Sequence, residues 1–195
     1  MATQNEEVNL FLSATKDQFI RCLEVVWSVR LNTDKLINAW ILVDQPPDLD
    51  VDFKKHRINV NLVDAKNLNL ESTHKRILDD KYPTLGYGRL FITKIVPSEV
   101  KKLLYLDTDI FAYHNIDELY SIDVSGKYAA VVMDISAQCF AKDELARTKV
   151  TKYFNAGMML LNLDKIREDK VDDACIAFYR NPPDWYIQNN LCIND

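Results

Sequence analysis

The sequence predicts an α/β fold built on a mainly parallel sheet. Short apolar runs typical of strands alternate with longer segments whose apolar residues recur at helical spacing. Several strand-like runs are apolar along most of their length, as expected when helices cover both faces of a parallel sheet. Polar residues directly follow several of these runs, and such sheets bind ligands beside the carboxyl ends of their strands. We therefore expect a sheet with helices on both faces and a ligand site at one edge.

The first half of the chain is predicted to contain three strands and two helices. Residues 8–12 form an apolar run, and residues 17–30 carry apolar side chains at helical spacing, with Asp17 as a candidate N-cap. A second apolar run ends shortly before two prolines, which stop a strand. The remaining segments are the strand at 39–43, an alternating strand at 58–63 and a short helix at 71–78.

The second half continues the alternation of helices and strands. A helical segment ends before Pro97, and the next run changes from amphipathic to fully apolar, which indicates a strand entering the core. The predicted elements are helix 87–95, strand 100–106, a helical turn at 116–119, buried strands at 128–133 and 158–161, and an amphipathic helix at 164–179.

Composition and charge narrow the class of protein. A chain of 195 residues, 48% hydrophobic and 27% charged, predicts one folded domain spanning 1–195. Lysine and arginine total 24 against 29 acidic residues, so the chain lacks the basic surface that nonspecific nucleic-acid binding requires. If its ligand carries phosphate, a divalent cation is the obvious means of offsetting the repulsion.

Targeting features and cysteines point to a reducing compartment. No apolar run approaches the roughly 20 residues of a membrane span, and the polar first residues are unlike a signal peptide. None of the four cysteines forms a Cys-x-x-Cys motif, so we expect reduced, mostly buried thiols. The expected location is cytoplasmic.

A carboxylate pair after the apolar strand 100–106 is the most informative local feature. Asp107 and Asp109 are separated by Thr108, and in an extended chain residues i and i+2 point to the same side. Two such carboxylates repel unless a cation joins them, and they are hard oxygen ligands suited to Mg²⁺ or Mn²⁺. The alternative is a solvated turn in which one aspartate caps the next element.

Three motifs in fixed order resemble glycosyltransferase family 8, which contains glycogenin-like enzymes and lipopolysaccharide galactosyl- and glucosyltransferases. They are Tyr-Gly-Arg-Leu at 87–90, Leu-Asp-Thr-Asp at 106–109, and Asn-Ala-Gly at 155–157 followed by an apolar strand and Asn-Leu. The resemblance covers about 9–195. It implies a GT-A fold, a Rossmann-like sheet with helices on both faces. It also implies an enzyme that moves a hexose from a UDP-sugar to a glycan or other hydroxyl acceptor, with retention, using Mn²⁺ or Mg²⁺.

The resemblance also assigns roles for nucleotide and metal. The loop after the first strand corresponds to the segment that holds uracil and ribose: Ser13, Ala14 and Thr15, with Asp17 either joining them or only capping the helix. The metal pair corresponds to Asp107 and Asp109, and Thr108 corresponds to a residue whose backbone contacts the ribose.

The resemblance assigns catalytic roles to Arg89, Asp134 and Asn155, and binding roles to Ala156 and Gly157. Arg89 corresponds to a basic residue near the diphosphate and sugar, and Asp134 to a carboxylate beside the transferred sugar or acceptor. Asn155, Ala156 and Gly157 correspond to the segment that lines the sugar pocket. These roles suit the chemistry, because leaving UDP gains negative charge while the anomeric carbon becomes oxocarbenium-like.

The family pattern is incomplete in this sequence. An Asp-Gln-Asp segment has at best a weak counterpart at 187–189, and no histidine that could supply a third metal ligand follows His114. Two interpretations stay open: a piece of a longer protein, truncated at its C-terminus, or a shortened member with a more open site. The incomplete pattern also motivates a second function, a catalytically weak or inactive module that binds nucleotide-sugar. A nucleotidyltransferase is disfavoured because the loop after the first strand has no glycine.

Overall fold

A computed structural model describes residues 7–49, 51–68, 84–136 and 153–181. These residues form a six-stranded sheet with the order β3-β2-β1-β4-β6-β5. Its strands are β1 Glu7–Ala14, β2 Leu36–Val43, β3 Ile58–Asp64, β4 Lys102–Leu106, β5 Ala129–Met133 and β6 Phe154–Asn162. Neighbouring strands from β3 to β4 are parallel, whereas β6 lies antiparallel between β4 and β5. The predicted α/β class with a mainly parallel sheet is confirmed.

Helices cover both faces of this sheet, as the sequence predicts. They are α1 Phe19–Arg30, α2 Ile92–Ile95, α3 Asp117–Ser121, α4 Leu163–Glu168 and α5 Val171–Arg180, with 3₁₀ turns at Lys16–Gln18, Phe53–His56, Ala65–Asn67 and Thr84–Phe91. Alternate residues of β1 point to opposite faces. Leu10 and Leu12 pack in one core with α1, and Phe11 packs in the other with residues of Thr84–Phe91 and α5.

The reversed direction of β6 decides which residues meet at one edge. The carboxyl ends of β1, β2, β3, β4 and β5 lie at the same edge as the amino end of β6. We call this edge the site edge. It gathers the segments after β1 and β4 with the start of β6, which are the places where the sequence motifs lie.

Several predicted helix boundaries are wrong. The chain enters α1 through the 3₁₀ turn Lys16–Gln18, so Asp17 lies inside that turn and Gln18 occupies the N-cap position. The segment 87–95 is mostly 3₁₀ helix. The predicted helix 164–179 is two helices, because Lys170 adopts a left-handed conformation with φ of 54°. The predicted helix 71–78 lies outside the described residues.

One prediction of burial is wrong, and a second is tested at two of its four positions. The last three residues of β5 are exposed, and among the described strands β5 lies at the end of the sheet with β6 as its neighbour. Cys22 is buried, and burial raises the pKa of its thiol to about 12, but Cys175 is exposed. Cys139 and Cys192 lie outside the described residues.

Arg167 of α4 fixes the segment that leads into β4. Its guanidinium donates to the carbonyls of Val96, Pro97 and Val100 at 3.0, 3.1 and 2.9 Å, and to that of Ser98 at 3.4 Å. We expect Arg167→Ala to lower the free energy of unfolding by about 2–3 kcal/mol, because four carbonyls lose a charged donor. Arg167→Lys should recover only part of this, since an ammonium group lacks the fork geometry.

Urea denaturation measures the effect of Arg167. Arg21→Ala is the matched control, because Arg21 lies on the exposed side of α1. A loss within about 0.5 kcal/mol for Arg167→Ala, the usual range of surface substitutions, would contradict the assigned role.

Candidate functional site

Asp107 lies where β4 meets β6. Its N–H donates to the carbonyl of Gly157 at 2.8 Å, which ties the end of β4 to β6. Its own carbonyl accepts from the N–H of Ile110 at 3.2 Å, closing a turn over 107–110. The prediction that Asp107 and Asp109 lie in extended chain and point to the same side is therefore wrong. β4 ends at Leu106, and the two aspartates belong to a turn. Asp109 is exposed in that turn, and Thr108 is half-buried.

The carboxylate of Asp107 is held through one of its two oxygens. Oδ1 accepts from the hydroxyl of Tyr105 at 2.5 Å and from Nη2 of Arg89 at 3.3 Å. No described residue donates a hydrogen bond to Oδ2. Burial raises the pKa of Tyr105, and the opposing effect of the Arg89 charge does not cancel it. Tyr105 is therefore a neutral donor. Because Oδ1 already accepts two hydrogen bonds, Oδ2 is the Asp107 oxygen that remains for a ligand.

Arg89 is fixed by three elements around the site. Nε donates to the carbonyl of Gly86 at 2.9 Å, and Nη1 donates to that of Ala156 at 2.8 Å. The guanidinium carbon lies 4.7 Å from the centre of the Tyr105 ring, within the range of a cation–π contact. The side chain is only 15% exposed, against 38% for Asp107, so the charge of Arg89 is partly desolvated and directed at the site.

The start of β6 is irregular where it reaches Asp107. The pairing of β5 with β6 shifts from Val131↔Met159 to Val132↔Asn155. Ala156 and Gly157 lie within this irregularity, and the side-chain oxygen of Asn155 accepts from the N–H of Gly157 at 2.8 Å. The irregularity presents the Ala156 carbonyl to Arg89 and the Gly157 carbonyl to Asp107.

Gly157 leaves no room for a side chain. A Cβ built there would lie 2.8 Å from Oδ2 of Asp107 and 2.9 Å from Oδ1 of Asn155. We expect Gly157→Ala to displace the Asp107 carboxylate and to weaken the binding of Mn²⁺ with UDP at least about tenfold. It should also cost about 1–3 kcal/mol of stability through overpacking.

Gly126→Ala separates these two effects. Gly126 has φ of 69° with nothing within 4 Å of a built Cβ, so alanine is strained there but meets no neighbour. This control should lose stability while keeping ligand affinity, as calorimetry and thermal denaturation can show. Equal affinities for the two alanine variants would count against the assigned role of Gly157.

The loop after β1 lies beside the end of β4, on the side opposite β6. Ser13 is half-buried near the end of β1, and the N–H of Lys16 donates to Oδ1 of Asp44 at 2.8 Å. Ala14 is buried, so only its backbone can meet a ligand, whereas Thr15 is half-buried and Asp17 is exposed.

Asp134 follows β5 at the site edge. Its N–H donates to the carbonyl of Tyr153 at 3.0 Å, and Met133 pairs with Phe154 in the preceding step of the ladder. The end of β5 therefore lies beside Asn155 at the start of β6. The side chain of Asp134 is half-buried.

Hydrogen bonds connect five of the predicted site residues: Arg89, Asp107, Asn155, Ala156 and Gly157. Ser13 and Ala14 lie at the end of β1, at the same edge. Thr15, Asp17, Thr108, Asp109 and Asp134 lie at the same edge. The sequence interpretation missed Tyr105 and Asp44. The signal for Tyr105 was available, because it is a polar-tipped side chain in an apolar strand, two residues before Asp107. Asp44 likewise directly follows β2.

The oxygen ligands at this edge suit a hard divalent cation. Oδ2 of Asp107 receives no donor from the part of the chain that the structure describes, and Asp109 is exposed, so both offer carboxylate oxygens. Within the described ranges, no group of three or more His, Cys, Asp or Glu side chains could enclose a metal ion. Two protein ligands leave most coordination positions of Mn²⁺ or Mg²⁺ for phosphate oxygens and water, as Mg²⁺ commonly uses. The residues present therefore fit a metal shared with a diphosphate.

None of the helices in the described part of the chain is both long and apolar enough to span a membrane.

Solved structures with the same architecture are glycosyltransferases. The galactosyltransferase LgtC in complex with donor and acceptor sugar analogs superposes with a TM-score of 0.69 at 17% identity, covering 94% of this chain and 70% of that one. Mouse xyloside xylosyltransferase 1 gives a TM-score of 0.58 at 17% identity, covering 93% and 74%. At these identities the likeness shows the fold alone, which is GT-A.

Sequence comparisons identify the family. A putative glycosyltransferase of Haemophilus influenzae is 28% identical over 183 residues, covering 86% of this chain and 54% of that protein. A lipopolysaccharide 1,2-glucosyltransferase of Escherichia coli K12 is 29% identical over 133 residues, covering 63% and 39%. The chain thus spans about half the length of these curated relatives, or less. The family model for Glycosyl transferase family 8 matches residues 9–193, and the chain belongs to that family.

Proposed function

We propose that this chain carries the donor site of a retaining hexosyltransferase, which moves a hexose from a UDP-sugar to a hydroxyl of a glycan or similar acceptor with Mn²⁺ or Mg²⁺. The observation that carries the proposal is the Asp107 carboxylate. It stands at the end of a buried strand with one oxygen held by Tyr105 and Arg89, while no residue in the described ranges donates to the other. Relatives named as a lipopolysaccharide glucosyltransferase and as galacturonosyltransferase-like proteins support a sugar donor and acceptor.

Asp107 and Asp109 would hold the metal, which would neutralise the diphosphate and stabilise the leaving group. The chain has a net charge of −5, and a divalent cation is an effective means of offsetting the repulsion between site carboxylates and a diphosphate. The uridine would lie against Ser13, Ala14 and Thr15 at the end of β1, with the Thr108 backbone at the ribose. Asp17 is exposed beside this loop and could meet only the outer part of the nucleoside.

Arg89 would stabilise the charge that develops on the leaving diphosphate. Its guanidinium is already fixed by the carbonyls of Gly86 and Ala156, so little reorganisation is needed during the reaction. A fixed cation in a partly desolvated site stabilises a transition state more than a mobile surface cation does.

Asn155 and Asp134 would act at the anomeric carbon. They stand on adjacent strands, at the start of β6 and just after β5. A carboxylate or amide oxygen beside an oxocarbenium-like centre lowers its energy. Ala156 and Gly157 would line the sugar pocket beside them, with the small residues allowing backbone to approach the donor.

Turnover of a panel of UDP-sugars, with Mn²⁺ or with EDTA, tests this function. We expect hydrolysis or transfer from at least one UDP-hexose that requires the metal, and NMR of the product should show retained anomeric configuration. Inverted product would contradict the retaining mechanism, and turnover unaffected by EDTA would contradict the metal.

A module that binds nucleotide-sugar without turnover is the second candidate. It is favoured because the described ranges contain no group of three or more His, Cys, Asp or Glu side chains that could hold a metal ion. Binding of UDP with Mn²⁺, combined with no transfer and no slow hydrolysis of any donor, would favour this candidate over the enzyme.

A further inference from the structure

Tyr105 is a hydroxyl-bearing side chain within a buried apolar strand. Leu103, Leu104 and Leu106 surround it in β4, and all four residues are nearly inaccessible to solvent. Apolar packing alone would be satisfied by phenylalanine at this position. A buried phenol needs a hydrogen-bond partner, and here the partner is Oδ1 of Asp107 at 2.5 Å.

The ring and the hydroxyl of Tyr105 contact different neighbours. One side of the ring stacks on Phe11 of β1 at 6.3 Å between centroids, and the Arg89 guanidinium lies over the ring. Tyr105 therefore joins the strand that leads to the nucleoside loop, the proposed metal ligand and the cation beside it.

We propose that Tyr105 is a positioning residue for the metal ligand Asp107: its hydroxyl occupies Oδ1, so that Oδ2 alone is presented to the cation. The inference rests on the proposed function, because it concerns the same metal site. A carboxylate restrained in this way binds through one oxygen in a fixed direction, which suits the strict octahedral geometry of Mg²⁺ and the similar geometry of Mn²⁺. Hydrogen bonds to a ligating carboxylate typically change metal affinity by 10–100-fold.

Tyr105→Phe removes the hydroxyl and keeps the ring. Tyr120→Phe is the matched control, because Tyr120 is also buried and its hydroxyl donates to the carbonyl of Lys102, at the opposite end of β4. Both variants lose a buried hydroxyl, and because that of Tyr120 also accepts from the N–H and the side-chain amide of Asn9, Tyr120→Phe should lower the Tm at least as far as Tyr105→Phe does. Only Tyr105→Phe should weaken Mn²⁺ binding in the presence of UDP, by about 10–100-fold in calorimetry.

The preference between cations gives a second measurement. Without its hydroxyl partner the Asp107 carboxylate can rotate and bind through both oxygens, as Ca²⁺ accepts more readily than Mg²⁺. We expect the ratio of Ca²⁺ to Mg²⁺ affinity to rise at least about fivefold in Tyr105→Phe and to stay constant in Tyr120→Phe. A merely structural role of Tyr105 would leave this ratio unchanged.

The outcomes separate the inference from the proposed function. Absence of Mn²⁺-dependent UDP binding in the wild-type chain would refute the proposed function itself. Wild-type binding with equal Mn²⁺ affinity in Tyr105→Phe would overturn the positioning role alone, as would equal losses in both variants. If Tyr105→Phe does not fold, 4-fluorophenylalanine at position 105 fills the space of the hydroxyl without its donor, and the same comparison applies.

Discussion

Asp107→Asn is expected to abolish Mn²⁺-dependent binding of UDP and to reduce transfer by at least about 10³-fold. Asparagine keeps the shape of the side chain and a carbonyl oxygen that can accept from Tyr105, but it removes the negative charge. Both the cation and Arg89 then lose their charged partner. Because the substitution is nearly isosteric, the sheet should survive, with a moderate loss of stability from the unpaired Arg89.

Asp34→Asn is the matched control for this change. Asp34 is fully exposed and lies between α1 and β2, at the edge of the sheet opposite the site edge. The Asp34→Asn variant should bind Mn²⁺ and UDP as the wild type does. Calorimetry on the folded Asp107→Asn variant measures this binding. If the variant still binds UDP in a metal-dependent way, the assignment of Asp107 as a metal ligand is contradicted.

Arg89→Lys should lower kcat by about 10²–10³-fold while changing the donor KM less. The guanidinium reaches the carbonyls of Gly86 and Ala156 and the Asp107 carboxylate at the same time. An ammonium group cannot reproduce this fork, so its charge is no longer fixed where the leaving group develops charge. Arg89→Ala should lose more, because it also leaves the Ala156 carbonyl without its donor.

Arg21→Lys, on the exposed side of α1, controls for the exchange of arginine for lysine. Steady-state rates over a range of donor concentrations separate kcat from KM. A rise in donor KM with unchanged kcat would show that Arg89 contributes equally to ground-state and transition-state binding. That result would contradict its assignment to the leaving group.

The sequence was sufficient to predict the alternating α/β pattern, since buried strands and amphipathic helices have different periods. It could not reveal the direction of β6, because an apolar run has no polarity until its partners are known. That direction matters, since it brings Asn155 and Gly157 to the same edge as Asp107. The break at Lys170 was also hidden, because neither glycine nor proline marks it.

The candidate site was predictable where a motif is local and less so where the fold creates it. Asp107 stood out because a carboxylate follows an apolar strand directly. The stacking of Tyr105 on Phe11 depends on the pairing of β1 with β4, which no local pattern specifies. The sequence assigns Gly157 only to the segment that lines the sugar pocket. The structure adds a reason within the chain, because Oδ2 of Asp107 occupies the space of a side chain.

Calorimetric titration of UDP into the wild-type chain, with Mn²⁺ and then with EDTA, tests the central claim most directly. The claim is that the turn after β4 forms half of a metal site whose other ligands come from the diphosphate. We therefore predict measurable binding with Mn²⁺ and affinity at least about tenfold weaker in EDTA. No detectable binding with Mn²⁺, or equal affinity with and without the metal, would contradict the account.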